Sequence, residues 1–326
     1  MRPVPSCSFI WSLGGRRASA SLARRTADAA RRIAPESVLI MLGFRARARP
    51  KGATLSENGL RIEAHVTMSL TARIRIIVRR AITNTARDVS LATAGRSALI
   101  LAPHPDDETL GCGGTVLRKL AAGSAVTIAV VTDGRHSHAS ALLTPPELAA
   151  LRRNELAEAA KRLGVSESAV CWLGFEDGTV AANEDAVAAA IATLIAKLDP
   201  SEVYSTSADE PHPDHAAVGR AARKAVAASA GTHLLEYPVW LWGNWPLRPG
   251  DRIRSTLRAM ALLLFRGAVV VRVNGLESAK WHALSAHASQ LGRPASIPES
   301  EPWGTLPTSV LNAAAEPVEL FFPVCR

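Results

Sequence analysis

Two periods of hydrophobic and polar positions share most of the chain. Short apolar runs at 97–102, 126–131, 169–173, 202–205, 233–237 and 268–273 stop at proline, glycine or polar clusters and predict strands. Between them, three- and four-residue apolar spacing predicts helices at about 108–122, behind Pro145-Pro146 to about 163, at 184–198 before Asp199-Pro200, after the polar stretch 210–215 to about 229, and at 276–290. The alternation predicts an α/β fold: a Rossmann-like, mostly parallel sheet with helices on both faces, spanning residues 97–326. Upstream, Leu70, Ile74, Ile77, Val78 and Ile82 mark a basic amphipathic helix within 68–96, read as packed on the domain in preference to lying on a membrane. The last 35 or so residues are proline-rich and are expected to be irregular.

Charge divides the chain differently. Residues 1–67 hold twelve basic side chains against four acidic ones, a net of +8 within a total of +9, which leaves +1 for the rest. The basicity therefore belongs to the N-terminal segment, and no nucleic-acid partner is expected for the body. Residues 1–67 read as a poorly ordered basic extension, or as the product of a start placed upstream of Met68. Weak membrane-surface contact through this region is the remaining use for its charge. No apolar run reaches the length of a membrane span, so a cytoplasmic protein is expected. The run Ala259-Met260-Ala261-Leu262-Leu263-Leu264-Phe265, broken by Arg266, is read as core. Cys7, Cys112, Cys171 and Cys325 are scattered, which argues against a cysteine zinc site or a disulfide framework and favours reduced thiols. Neither a dinucleotide fingerprint nor a phosphate-binding loop follows the first strand.

The chemistry concentrates after strands. Ala102-Pro103-His104-Pro105-Asp106-Asp107-Glu108 ends the first predicted strand, and Glu210-Pro211-His212-Pro213-Asp214-His215 follows the fourth. In a parallel sheet these loops share one edge, where ligands bind. Burying adjacent carboxylates demands a positive partner. His104 and Asp107, three apart on a tight turn, together with His215 would give two histidines and a carboxylate with an open coordination position, a set that suits zinc. Asp106 would then stand where it can take a proton from water, and His212 where it can donate to an oxyanion.

Ala-Pro-His-Pro-Asp-Asp-Glu with the later His-Pro-Asp-His resembles the PIG-L/LmbE-like zinc-dependent N-deacetylases over about 97–290. Arg152-Arg153-Asn154-Glu155, Leu173-Gly174-Phe175-Glu176-Asp177-Gly178, and Lys280 with His287-Ala288-Ser289-Gln290 are similar to further elements of that family. The resemblance implies Zn2+ held by His104, Asp107 and His215, with Fe2+ able to occupy the same ligands. It implies Asp106 as general base, His212 as oxyanion or acid residue, and Asp214 orienting an imidazole. Arg152 and Asp177 become candidates for contact with sugar hydroxyls or phosphate. The implied substrate is a small N-acetylated amino-sugar conjugate. The alternatives are an amidase acting on another acyl-amide or thiol conjugate, and a non-catalytic sugar- or nucleic-acid-binding protein. Oligomeric state is not legible in the sequence.

Overall fold

The computed structural model describes residues 70–138, 142–265, 267–294 and 297–325, so the reading of residues 1–67 lies outside them. Eight strands form one sheet: β1 (Arg87–Asp88), β2 (Ala98–Ala102), β3 (Val126–Thr132), β4 (Val170–Phe175), β5 (Glu202–Thr206), β6 (His233–Tyr237), β7 (Val269–Arg272) and β8 (Val318–Val324). Their order is β1-β7-β8-β6-β5-β2-β3-β4. β2 pairs in parallel with both β3 and β5, and only β8 runs against its neighbours β6 and β7. The order reverses at β2, which puts the loop after β2 at the point where such sheets bind ligands.

The helices are α1 (Leu70–Thr85), α2 (Ser90–Ala94), α3 (Asp107–Ala121), α4 (Pro145–Leu163), α5 (Glu184–Leu198), α6 (Pro213–Ala227), α7 (Leu241–Asn244), α8 (Arg252–Phe265), α9 (Glu277–Leu284), α10 (Ala288–Leu291) and α11 (Thr308–Ala314). A strand's period of two divides the core. Ile100, Ile128, Val130 and Tyr204 face one layer with Leu110, Val116 and Leu156. Leu99, Leu101, Ala129, Val131 and Val203 face the other with Val187, Ile191, Ala217 and Val218. Central strands buried on both faces read as the unbroken apolar runs seen in the sequence. No helix among the described residues is long and apolar enough to cross a membrane.

Three expectations change. The proline-rich end is ordered from α11 onward, because β8 fills the gap between β6 and β7 and buries Leu320, Phe321 and Phe322. The predicted last helix is two pieces, since Glu155 accepts hydrogen bonds from the backbone N–H and hydroxyl of Ser289 (both 2.7 Å) and so caps a new turn. The apolar run in α8 is only partly core: Ala259 is buried, whereas Met260 and Leu264 are exposed. Cys112 and Cys171 are free thiols.

α3 carries the first motif and is held from outside its own ladder. Lys280 Nζ donates to the Leu110 carbonyl (3.1 Å), while Glu319 accepts from the N–H of Gly114 (2.7 Å) and Thr115 (2.8 Å). Residues 110 and 114 are the pair an α-helix would otherwise bond to each other. Lys280 and Glu319 also pair with one another at 2.8 Å, both buried. The approach needs glycine: a Cβ at Gly111 would stand 2.1 Å from the Tyr237 ring, and one at Gly114 would stand 2.3 Å from Val273. Lys280→Ala strands the Glu319 carboxylate in the core and should cost about 3–5 kcal/mol. Guanidinium denaturation measures this, and an unshifted midpoint would show that the pair does not hold α3.

Candidate active site

β2 ends at Ala102, and the chain turns through Pro103 and Pro105 into α3. Asp106 takes the turn with φ 133° and ψ −29°, a conformation that side chains other than glycine rarely adopt. Its N–H donates to Glu108 Oε2 at 3.0 Å, and Glu108 Oε1 accepts from the Thr109 hydroxyl (2.6 Å) and lies 3.2 Å from His287 Nε2. Glu108 thus lies beneath the turn, and His287 is its buried partner.

Three donor atoms from two loops meet. His104 Nδ1 lies 3.1 Å from His215 Nε2, and Asp107 Oδ2 lies 3.5 Å from the first and 3.3 Å from the second. His104 Nε2 lies on the other side of its ring, 3.0 Å from Asp177 Oδ1 and 3.5 Å from Asp214 Oδ2. An N–H on Nε2 directed at a carboxylate leaves the Nδ1 lone pair for a cation, which is how metal-binding histidines are commonly oriented. His215 Nδ1 is buried without a hydrogen-bond partner. Lone pairs turned toward one another at this spacing, with a carboxylate between them, fit a divalent ion bound by His104, Asp107 and His215. His104, His212 and Asp214 form a second, overlapping group of possible ligands.

The field around His104 also favours a proton. Burial opposes charge on His104, but hydrogen bonds to Asp107, Asp177 and Asp214 hold its pKa well above the usual imidazole value. Burial pushes His215 down to about 3, with the charge of His104 adding to the effect. Asp107 is held low: burial opposes its charge, but the His215 and His104 imidazoles outweigh it. Burial raises Asp106 to about 7 against the pull of Arg152. The pKa values of these adjacent carboxylates are thereby driven apart.

The other expected residues take definite places. Arg152 donates to Pro105 O (2.6 Å), Gly134 O (3.1 Å) and Asp106 Oδ2 (3.3 Å), and its Nε is buried without a partner. Asp177 accepts from the His136 N–H (2.9 Å) in addition to its contact with His104. Asp214 accepts from the N–H groups of Gly178 (2.7 Å) and Val180 (3.3 Å), which ties the loop after β5 to the loop after β4. His212 is partly buried, its Nδ1 has no partner, and its ring stands edge-on to His104 with centroids 5.0 Å apart. All of these side chains except Asp214 line one cavity of about 380 Å³, joined by Trp240, His138 and the 304–306 segment.

Sequence reasoning passed over three contributors. Glu210 accepts from the N–H groups of Val239 (2.5 Å) and Leu241 (3.0 Å), so it fixes the segment bearing Trp240. Burial raises its pKa to about 8. His138 donates from Nε2 to Gly304 O at 2.7 Å and stacks on Trp303 with centroids 4.2 Å apart. Trp303 Nε1 donates in turn to Ser289 O at 2.9 Å. The position of Glu210 just before Pro211-His212 was a usable signal. The contact of His138 with a segment 166 residues away had none.

Comparison with known proteins places the chain in a family. Residues 99–226 match the family described as PIG-L: GlcNAc-PI de-N-acetylase. A probable N-acetyl-alpha-D-glucosaminyl L-malate deacetylase 2 of Bacillus cereus is 33% identical over 137 residues, 40% of this chain and 61% of that protein. The chain thus spans about three fifths of that relative's length. The 1D-myo-inositol 2-acetamido-2-deoxy-alpha-D-glucopyranoside deacetylase of Rhodococcus opacus is 30% identical over 244 residues, 60% of this chain and 82% of the relative. The crystal structure of a conserved protein from Thermus thermophilus superposes with a TM-score of 0.50 at 26% identity, covering 71% of this chain and 97% of the other. With a shared fold and a relative matched over most of its length, the chain belongs to the PIG-L/LmbE-like deacetylase family.

Proposed function

We propose that this protein is a metal-dependent N-deacetylase that hydrolyses the acetyl amide of an N-acetylated glucosamine-type sugar or its conjugate. The observation that carries the proposal is the convergence of His104 Nδ1, His215 Nε2 and Asp107 Oδ2 beside Asp106. Those three residues would hold zinc, or iron(II), and either ion when bound supplies the Lewis acidity that activates water and polarises a carbonyl. The names of the Bacillus cereus and Rhodococcus opacus relatives, both deacetylases of acetamido sugars, support the substrate class.

Asp106 is proposed as the general base. Its carboxyl is buried at the cavity wall, and Arg152 fixes the orientation of Oδ2. His212 faces the same cavity with its Nδ1 uncommitted, and is proposed to stabilise the developing oxyanion and return a proton to the departing amine. Asp177 and Asp214 orient His104 in this reading. Arg152 holds Asp106 through Nη2 and retains Nε for a polar group of the substrate. Trp240, whose ring lies 6.3 Å from that of His212, offers an apolar face for a sugar ring.

Asp106→Ala should lower kcat for amine release from N-acetylglucosamine conjugates by about 10²–10⁴-fold while leaving metal content unchanged. Fluorescamine detection with elemental analysis measures both, and full activity in this variant would remove Asp106 from its role. His215→Ala deletes a ligand and should purify with substoichiometric metal. A chelator should inactivate the wild type, with zinc or iron(II) restoring it. Retention of one equivalent of metal by His215→Ala would refute the ligand set.

A further inference from the structure

Away from the catalytic edge, two packed helices present an apolar stripe that no described residue covers. On α8, Ile253, Leu257, Met260 and Leu264 are exposed by 78%, 59%, 51% and 72%. Their spacing of four, three and four places them on one side of the helix. On α1, Leu70 and Ile77 are exposed by 74% and 66%, two turns apart on one side. The opposite sides are buried: Ile82 of α1 and Ala259 of α8 share a cluster with Leu320 and Phe322. Exposed apolar residues are ordinary singly, but a run of them across neighbouring helices marks a surface that meets something.

The charge beside the stripe identifies its partner. α1 and α8 contain seven arginines and no acidic residue. Arg79 and Arg258 are ion-paired with Glu316 and Asp209 and Arg75 donates to backbone carbonyls, which leaves Arg73, Arg80, Arg252 and Arg254 beside the stripe. Arg252 and Arg254 lie on either side of Ile253, about 100° around the helix from the stripe. Arg73 and Arg80 are exposed and fall among the apolar positions of α1. Long basic side chains at the borders of an apolar face are the pattern of helices lying in a lipid–water interface. A second copy of the chain would bring arginine against arginine. Residues 1–67, with their net of +8, would meet the same repulsion.

We propose that the α1–α8 face docks on an anionic phospholipid surface, with Ile253, Leu257, Met260 and Leu264 entering the acyl boundary and the flanking arginines on the headgroups. The face connects to the site through covalently adjacent and paired residues. Arg258 is ion-paired with Asp209, and Arg248 Nη1 donates to the Asp209 carbonyl at 3.2 Å. Asp209 immediately precedes Glu210 and the His212 loop. Docking would therefore bear on the segment that walls the cavity.

Vesicle sedimentation of the full-length chain tests the proposal. Binding should be strong on vesicles with roughly one third phosphatidylserine, weak on phosphatidylcholine alone, and should fall with added salt. Leu257→Glu with Leu264→Glu should lower the bound fraction on anionic vesicles about tenfold or more. Arg252→Glu with Arg254→Glu should do the same, and it serves as the test if the leucine variant does not fold by circular dichroism. A wild-type protein that stays in the supernatant overturns the proposal. So does unchanged binding in both variants, which would assign the binding to residues 1–67. A lipid-free dimer in sedimentation velocity that the leucine variant dissociates would overturn it too, by assigning the face to a second copy.

Discussion

Buried negative charge is the constraint on which the site depends. Asp106, Asp107, Glu108, Asp177 and Asp214 are all buried at one edge of the sheet. Each would cost several kcal/mol as an unpaired ion. Four have definite partners: Asp106 has Arg152, Glu108 has His287, and Asp177 and Asp214 share the outer nitrogen of His104. Asp107 Oδ2 accepts from the backbone N–H of His104 at 3.0 Å and otherwise faces the inner nitrogens of His104 and His215. Charge left over at one point, between two imidazoles, is what makes a cation fit there. The same accounting explains how two carboxylates adjacent in sequence come to differ, one held ionised and the other raised toward neutrality by burial.

The scaffold fixes these atoms by overdetermining a strained turn. Asp106 keeps its positive φ because its N–H is bonded to Glu108 and its carboxylate is held by Arg152. Behind the turn, α3 is glycine-rich where Tyr237 and Val273 press against it, and Lys280 and Glu319 satisfy its polar groups from two other elements. Residues 170 and 205 positions downstream of their partners thus stabilise the helix on which the first motif sits. On the opposite front, Glu210 and Asp214 bind the loops after β4, β5 and β6 to one another, so the cavity wall is a connected hydrogen-bonded unit.

The sheet and its central helices were legible because their signals are local. Unbroken apolar runs identify strands covered on both faces, and the helix at 184–198 is found where its spacing and Asp199-Pro200 place it. The ends of the sheet were less legible. β8 lies in an antiparallel slot whose partners are distant in sequence, and its proline-rich approach resembles a loop. The apolar run in α8 reads as core on hydropathy alone, because hydropathy does not say which side of a helix faces outward.

For the site, the sequence by itself determined which residue types gather at the edge. A loop after a parallel strand emerges on the same side as every other such loop, so His104, Asp106, Asp107, His212 and His215 had to be neighbours once the strands were recognised. Only the tertiary structure decided how they divide their hydrogen bonds. Asp177 and Asp214 turn toward His104, Arg152 turns to Asp106, and His287 closes on Glu108 from 179 residues away. Proximity follows from topology, which the pattern of the chain encodes. The pairing of charges follows from distances of about 3 Å set by packing, which no local pattern contains.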